Sequence, residues 1–182
     1  MDIIIPKKRI HLLRANVWHL NSKGEILWSA ENLTNLLHDQ GEQALLSAYF
    51  ATAMSGYGAP PANLYLGLDA RAVLAEADDL TTLSNEEVGN NYSRQAMSTG
   101  GTGLAGQDFY INQPAAYYRA DGKTLTFTCS TAPWSAKLNM FLCTVASGTA
   151  GKLISSLTLT ASRTLQIGDS LTASILTGLA EP

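Results

Sequence analysis

The sequence predicts a mainly β protein: an antiparallel β-sandwich, jelly-roll-like, with an N-terminal β-hairpin arm and one helical segment. Three observations predict it. After Asn63, short runs that alternate or concentrate apolar residues recur between turn-forming pairs such as Asp121-Gly122, Ser147-Gly148, Ala150-Gly151 and Gly168-Asp169. One stretch alone, residues 31–54, spaces its apolar side chains for a helix. The composition is 46% hydrophobic over 182 residues, enough for a sizeable core.

The elements follow in order. Asn16-Val17-Trp18-His19-Leu20 alternates, and Glu25-Ile26-Leu27-Trp28-Ser29 follows it across Asn21-Ser22-Lys23-Gly24, which predicts a hairpin with Trp18 near Trp28. Leu33, Leu36 and Leu37 stand at i, i+3 and i+4, and Leu45, Leu46, Tyr49, Phe50 and Ala53 repeat the pattern. Gly41 is expected to break or bend this run, with Asp39 capping its second part. The Gly- and Pro-rich segment 55–61 ends it, so an arm, hairpin and helix over 1–62 are expected to precede a sandwich domain over 63–182. Strands are expected at 63–68, 125–129, 138–145, 153–159, 163–167 and 170–176. The intervening 69–123 reads as loops, with the glycine cluster Gly100-Gly101-Thr102-Gly103 as a turning surface loop, since neither a lysine nor a helical period follows it.

Charge is scarce and unevenly placed. Charged residues make up 15% of the chain, against about 25% in ordinary soluble domains. After residue 123 only Lys137, Lys152, Arg163, Asp169 and Glu181 carry charge, which suits a surface covered by neighbouring subunits. A net charge of −3 argues against a nucleic-acid partner. The apolar runs fall far short of the about 20 residues that span a bilayer, so no membrane is expected. The opening Ile run followed by Lys7-Lys8-Arg9 is also in the wrong order for a secretory signal.

No catalytic group, cofactor or metal is expected. Cys129 and Cys143 are far from His11, His19 and His38 in sequence, and read as buried free thiols. Asp69, Glu76, Asp78, Asp79, Glu86 and Glu87 form an acidic stretch that reads as a solvated loop or a subunit contact. Ile3, Ile4, Ile5, Lys7, Lys8, Arg9 and Arg14 make a basic arm able to pair by strand addition, as a capsid or subunit contact over such an acidic loop. Tyr110, Tyr117, Tyr118 and Trp134 read as core or interface anchors in a sheet, with a glycan-stacking platform as the alternative. Asp169 is expected to fix its turn, and Arg94 and Arg163 to pair with acids such as Glu86 or Asp169.

From Asn63 onward the chain resembles a family of bacteriophage virion proteins of tail-fibre-like or minor structural type. The likeness is carried by Leu64-Tyr65-Leu66-Gly67-Leu68, Asp79-Leu80-Thr81-Thr82-Leu83, Asn91-Tyr92-Ser93-Arg94-Gln95, Leu125-Thr126-Phe127-Thr128, Trp134, Phe141-Leu142-Cys143-Thr144, Gly151-Lys152-Leu153-Ile154 and the run 163–171, in that order. Residues before Asn63 resemble the lead-in of longer members. One departure stands out: where the family reads Pro-Ser-Gly-x-Gly-Tyr, this chain has Glu87-Val88-Gly89-Asn90-Asn91-Tyr92, so a turn built on left-handed glycines is expected to change. The resemblance implies an oligomeric β-sandwich subunit of the virion, made in the host cytoplasm. The expected role is a non-enzymatic decoration or cement protein, a homotrimer on the major capsid protein. A tail adaptor, a tail-fibre module or a host-glycan-binding module is the alternative.

Overall fold

The computed structural model describes residues 9–50, 61–83, 85–99, 101, 103–112 and 119–180. Its elements are β1 (Arg9–Leu20), β2 (Ile26–Leu37), α1 (Asp39–Phe50), β3 (Asn63–Asp69), β4 (Gln95–Ser98), β5 (Phe109–Asn112), β6 (Arg119–Thr128), β7 (Trp134–Cys143), β8 (Leu153–Leu165) and β9 (Ser170–Ala180). The strands are all antiparallel, in the order β4-β3-β7-β8-β2-β1-β9-β6-β5. The expected antiparallel sandwich is what forms.

β2 makes the sandwich out of this ribbon. Its residues up to Thr34 pair with β1, and Asn35, Leu36 and Leu37 pair instead with β8. At the corner, Asn16 of β1 stands opposite Glu31 and Asn32 of β2, a bulge that bends the strand. Asn32 takes a left-handed φ of 53° and donates its backbone N–H to Asn16 Oδ1 at 2.8 Å. Asparagine is among the few residues that adopt this conformation cheaply. The first sheet is thus β2-β1-β9-β6-β5, and the second is β4-β3-β7-β8 with the end of β2. The hairpin is built into the sheet between β9 and β8.

Between the sheets lies one core. Val17 of β1, Leu33 of β2, Leu66 and Leu68 of β3, Phe127 of β6, Trp134, Met140 and Leu142 of β7, Leu157 of β8 and Leu171 of β9 are all buried in it. Cys129 and Cys143 are buried free thiols, and burial pushes the pKa of both upward. On the open side, Asp108 joins the two edges: its Oδ2 accepts the Ser98 N–H of β4 and the Lys123 ammonium, each at 2.8 Å. The glycine cluster caps an edge as well, since the Ile111 N–H of β5 donates to the Gly103 carbonyl at 2.8 Å.

Several sequence expectations change. Leu33, Leu36 and Leu37 have helical spacing but lie in β2, because pairing with β1 and β8 outweighs local periodicity. Trp18 and Trp28 fall on opposite faces, since Trp28 stands across from His19 and Trp18 across from Ser29. The strands expected at 153–159 and 163–167 are one strand, β8, broken only by a wide bulge opposite Leu138. β4 and β5, four residues each, are too short to announce themselves.

The helix begins after His38, whose carbonyl accepts the N–H groups of Gly41 and Glu42 at 2.8 and 3.0 Å. His38, not Asp39, therefore occupies the cap position. Gly41 does not break the helix; it lets the first turn touch β8. A Cβ there would overlap the Ile154 carbonyl oxygen and lie 2.8 Å from Leu37 Cδ1. That carbonyl already accepts the His38 N–H, so it cannot retreat. Gly41→Ala should lift the helix from β8 and cost about 1–3 kcal/mol in urea denaturation.

Candidate functional site

β7 is apolar on both faces. Met140 and Leu142 enter the inter-sheet core, whereas Phe141 and Cys143 point the other way and are also fully buried. Residues 69–94, between β3 and β4, form a strap over that outer face. Leu80 and Leu83 from the strap pack with Phe141, Cys143 and Leu153. Of the acidic stretch, Asp69 and Asp78 are buried and Glu86 and Glu87 half-buried, whereas Glu76 stays exposed as a solvated loop would have it.

The strap ties its own carboxylates to the sheet. Asp69, fully buried, accepts the Arg71 N–H at 2.7 Å and the Asn85 N–H at 3.2 Å. Burial raises its pKa, although those two donors oppose the rise. Glu86 grips Arg94 with both oxygens, Nε–Oε1 at 2.8 Å and Nη2–Oε2 at 2.7 Å. Arg94 also donates to the carbonyls of Val145 and Gly148 and lies 5.2 Å from the centre of the Phe141 ring. Burial alone would lower the Arg94 pKa, but the Glu86 carboxylate outweighs it and the net shift is upward. The expected Arg94–Glu86 pair therefore forms. Arg163 instead stacks over Trp28, 4.9 Å from the ring centre.

Lys137 of β7 is 1% exposed and sits 3.0 Å from Glu87 Oε2, donating also to the Asn85 carbonyl and the Ser135 hydroxyl. Burial would raise the Glu87 pKa, but Lys137 outweighs it, so the carboxyl is held below its usual range. Asn139, beside Lys137 on the same face, donates to the Arg71 carbonyl and accepts from Thr158. Asp78 pairs with Arg71 at 3.1 Å, and Asp79 accepts from the Thr81 N–H and hydroxyl. Most of the acids that the basic arm was expected to meet are thus already engaged within the chain.

Tyr92 ends the strap inside the protein. Its hydroxyl donates to Glu86 Oε1 at 2.9 Å and accepts the Leu68 N–H at 2.8 Å, and its ring stacks on Phe127 and meets Trp134 edge-on at 5.4 Å. Burial, with Glu86 nearby, drives its pKa upward. The preceding turn keeps its left-handed form: Gly89, Asn90 and Asn91 have φ of 75°, 50° and 60°. Asn91, where the resembled pattern has its second glycine, takes this conformation as asparagine can, and Trp134 Nε1 fastens the turn by donating to the Asn90 carbonyl at 3.0 Å.

Of the candidate residues, Trp134 is a core side chain at 1% exposure, in keeping with the core-or-interface reading, and offers no ring face to a sugar. Tyr110 is half-buried in β5, opposite Asp121 of β6, while Tyr117 and Tyr118 lie outside the described residues. Ile3, Ile4, Ile5, Lys7 and Lys8 also lie outside them. Arg9 opens β1 paired with Ala180, and Arg14, half-buried, sits between Thr34 and Leu176. Asp169 fixes its turn as expected, its Oδ2 accepting the Gln166 N–H at 2.9 Å and lying 3.3 Å from His19 Nε2. Among the described residues no cluster of His, Cys, Asp and Glu is placed to hold a metal.

His38, Tyr92, Lys137 and Asn139 are the residues of this site that sequence reasoning missed. His38 is fully buried where the helix meets strap and sheet. Its Nδ1 donates to the Glu76 carbonyl at 3.3 Å, which leaves Nε2 to accept from the Ser156 hydroxyl at 2.9 Å. The Asp39 N–H also donates to the Glu76 carbonyl, so one strap residue is held twice.

Two predictions follow from these contacts. Arg94→Met leaves Glu86 covered without its cation and should cost about 3–5 kcal/mol in urea denaturation, part of which an Arg94→Met/Glu86→Leu double variant recovers. Burial lowers the His38 pKa below its usual 6.5. The unfolded chain therefore binds the proton first, and the stability His38 contributes is complete above 6.5 and lost as pH falls below it. A thermal melt series should show wild type losing stability through that window and His38→Gln losing less.

Comparison with curated proteins and with solved structures gave no match. A family model described as podophage GP4 fiber I protein gp80 matches residues 36–178, more than three quarters of the chain, from the corner strand β2 through β9. The chain, a β-sandwich closed on one outer face by its own strap, therefore belongs to this family of bacteriophage virion proteins.

Proposed function

We propose that this chain is a non-enzymatic structural module of a phage fibre, which holds its shape and assembles with copies of itself and with other virion proteins. The observation that carries this reading is the fibre-family match over 36–178. The geometry supports it in one respect: the ionisable groups on the strap are largely used in holding strap to sheet. Asp69 is bound by backbone N–H groups, Glu86 by Arg94 and Glu87 by Lys137. Such an arrangement is that of a rigid scaffold.

A second reading keeps the same class. A chain with so few charges after residue 123 also suits a shell decoration, a trimer cementing the major capsid protein. Position and copy number separate the two. Antibody labelling of purified particles in the electron microscope, with mass-spectrometric counting against the major capsid protein, should place the chain on a fibre at a ratio far below parity. A ratio near parity with label over the head would establish decoration instead. Absence from the particle would sink both.

A further inference from the structure

The two sheets separate along one line. β2 pairs with β8 only through Asn35, Leu36 and Leu37, and on the hairpin side of its bulge it follows β1 alone. From Leu159 to Leu165, β8 likewise pairs only with β7. A seam therefore opens between β2 and β8, and no strand among the described residues fills it. Its lining is only partly sealed. Trp28, Ala30 and Arg163 are half-buried, whereas Val17, Leu157 and Leu171 in the closed part of the sandwich are at most 2% exposed.

The β2 border of the seam offers free backbone groups. The His38 N–H reaches the Ile154 carbonyl, so Leu36 and Thr34, two and four residues back, also turn their backbone groups toward β8. The bulge at Glu31 and Asn32 shifts this alternation by one residue, which leaves the N–H and C=O of Leu27 and Ser29 facing the seam. Open edges are ordinarily blocked by charge, proline or a bulge. The β8 border is blocked: it is bulged opposite Leu138, and Arg163 Nε donates to the carbonyls of Ala161 and Ser162 at 3.3 and 2.8 Å. Ile26-Leu27-Trp28-Ser29 has none of these devices.

Arg163 supplies the charge. Arg71, Arg94, Lys123 and Lys137 are each held by a carboxylate, but Arg163 meets none among the described residues. Its Nε is used on β8 and its guanidinium lies 4.9 Å from the Trp28 ring centre, which leaves Nη1 and Nη2 without a protein acceptor. A half-buried guanidinium with an open fork is a receptor for a carboxylate.

We propose that this seam binds an extended segment of another protein, added as a strand to β2 at Leu27 and Ser29, with an Asp or Glu side chain on Arg163. Paired residues of neighbouring strands point to the same face, so the residue beside Trp28 points, as Trp28 does, toward Arg163. The acid belongs there. The residues before and after it face outward beside Leu27 and Ser29, and Leu27, 55% exposed, favours an apolar neighbour. Glu31, exposed on the outer side of the same strand, disfavours a second acid there. The segment recognised thus reads apolar, acidic, apolar.

This inference stands apart from the fibre reading, since it concerns what the isolated chain binds. The probe is a fluorescently labelled peptide, Lys-Thr-Val-Glu-Val-Thr-Lys, titrated with the purified full chain. Anisotropy should show saturable binding, and Gln in place of the peptide's Glu should raise Kd by about tenfold or more. Methylating the backbone nitrogens of both valines should abolish binding, because those groups bond the β2 edge. Amide exchange followed by NMR should slow at Leu27 and Ser29 when peptide saturates. In Arg163→Gln the Glu and Gln peptides should bind equally, a ratio within one variant that a change in overall stability does not move. No saturable binding, equal affinity of the two peptides for the unaltered chain, a preference that survives Arg163→Gln, or unchanged exchange at Leu27 and Ser29 would each overturn the proposal.

Discussion

The structure turns on a strand that has no wet side. β7 carries Met140-Phe141-Leu142-Cys143, and in a sheet consecutive side chains point to opposite faces, so two of these four must leave the inter-sheet core. An antiparallel sheet can leave one face in water, but not where that face presents Phe141, Cys143 and Leu153 together. A cover is required, and the connection between β3 and β4 supplies it. Because a connecting segment brings backbone polar groups with it, the cover then needs partners, which Lys137 and Asn139 provide.

The corner at Asn32 has a similar logic. A strand that pairs with β1 over most of its length and with β8 at its end must change direction without losing its hydrogen bonds. The bulge supplies the turn, and the Asn16 side chain satisfies the N–H that the bulge releases. From the corner, β1 and β9 form the floor of one layer and β8 and β7 that of the other, so core side chains from both meet within one boundary.

The sandwich was legible in the sequence because alternation and turn residues survive in a single chain: Phe127, Leu171 and Leu157 reach the core from the strands that the pattern marked. The strap was not legible. Lys137 and Asn139 read as the wet face of a strand, and nothing local to them reveals that a segment fifty residues upstream lies on top. Trp134 read as a core or interface anchor, and Tyr92 and Asn90, brought from elsewhere in the chain, make it core. The Leu33, Leu36 and Leu37 spacing misled through competition: an i, i+3, i+4 pattern is satisfied equally by a bulged strand that serves two sheets. The Asp169 turn and the Glu86–Arg94 pair were readable because each lies within a few residues of its partner.

The outermost strands of the chain in sequence are neighbours in space. Arg9 pairs with Ala180 and Leu20 with Ser170, so β1 and β9 run side by side in opposite directions and Arg9 and Ala180 stand at the same pole. Tension applied between those two points would meet the backbone bonds of this pair one after another, as a zip is opened, and not all at once as when parallel strands are sheared. Such a module resists little load delivered through its own ends.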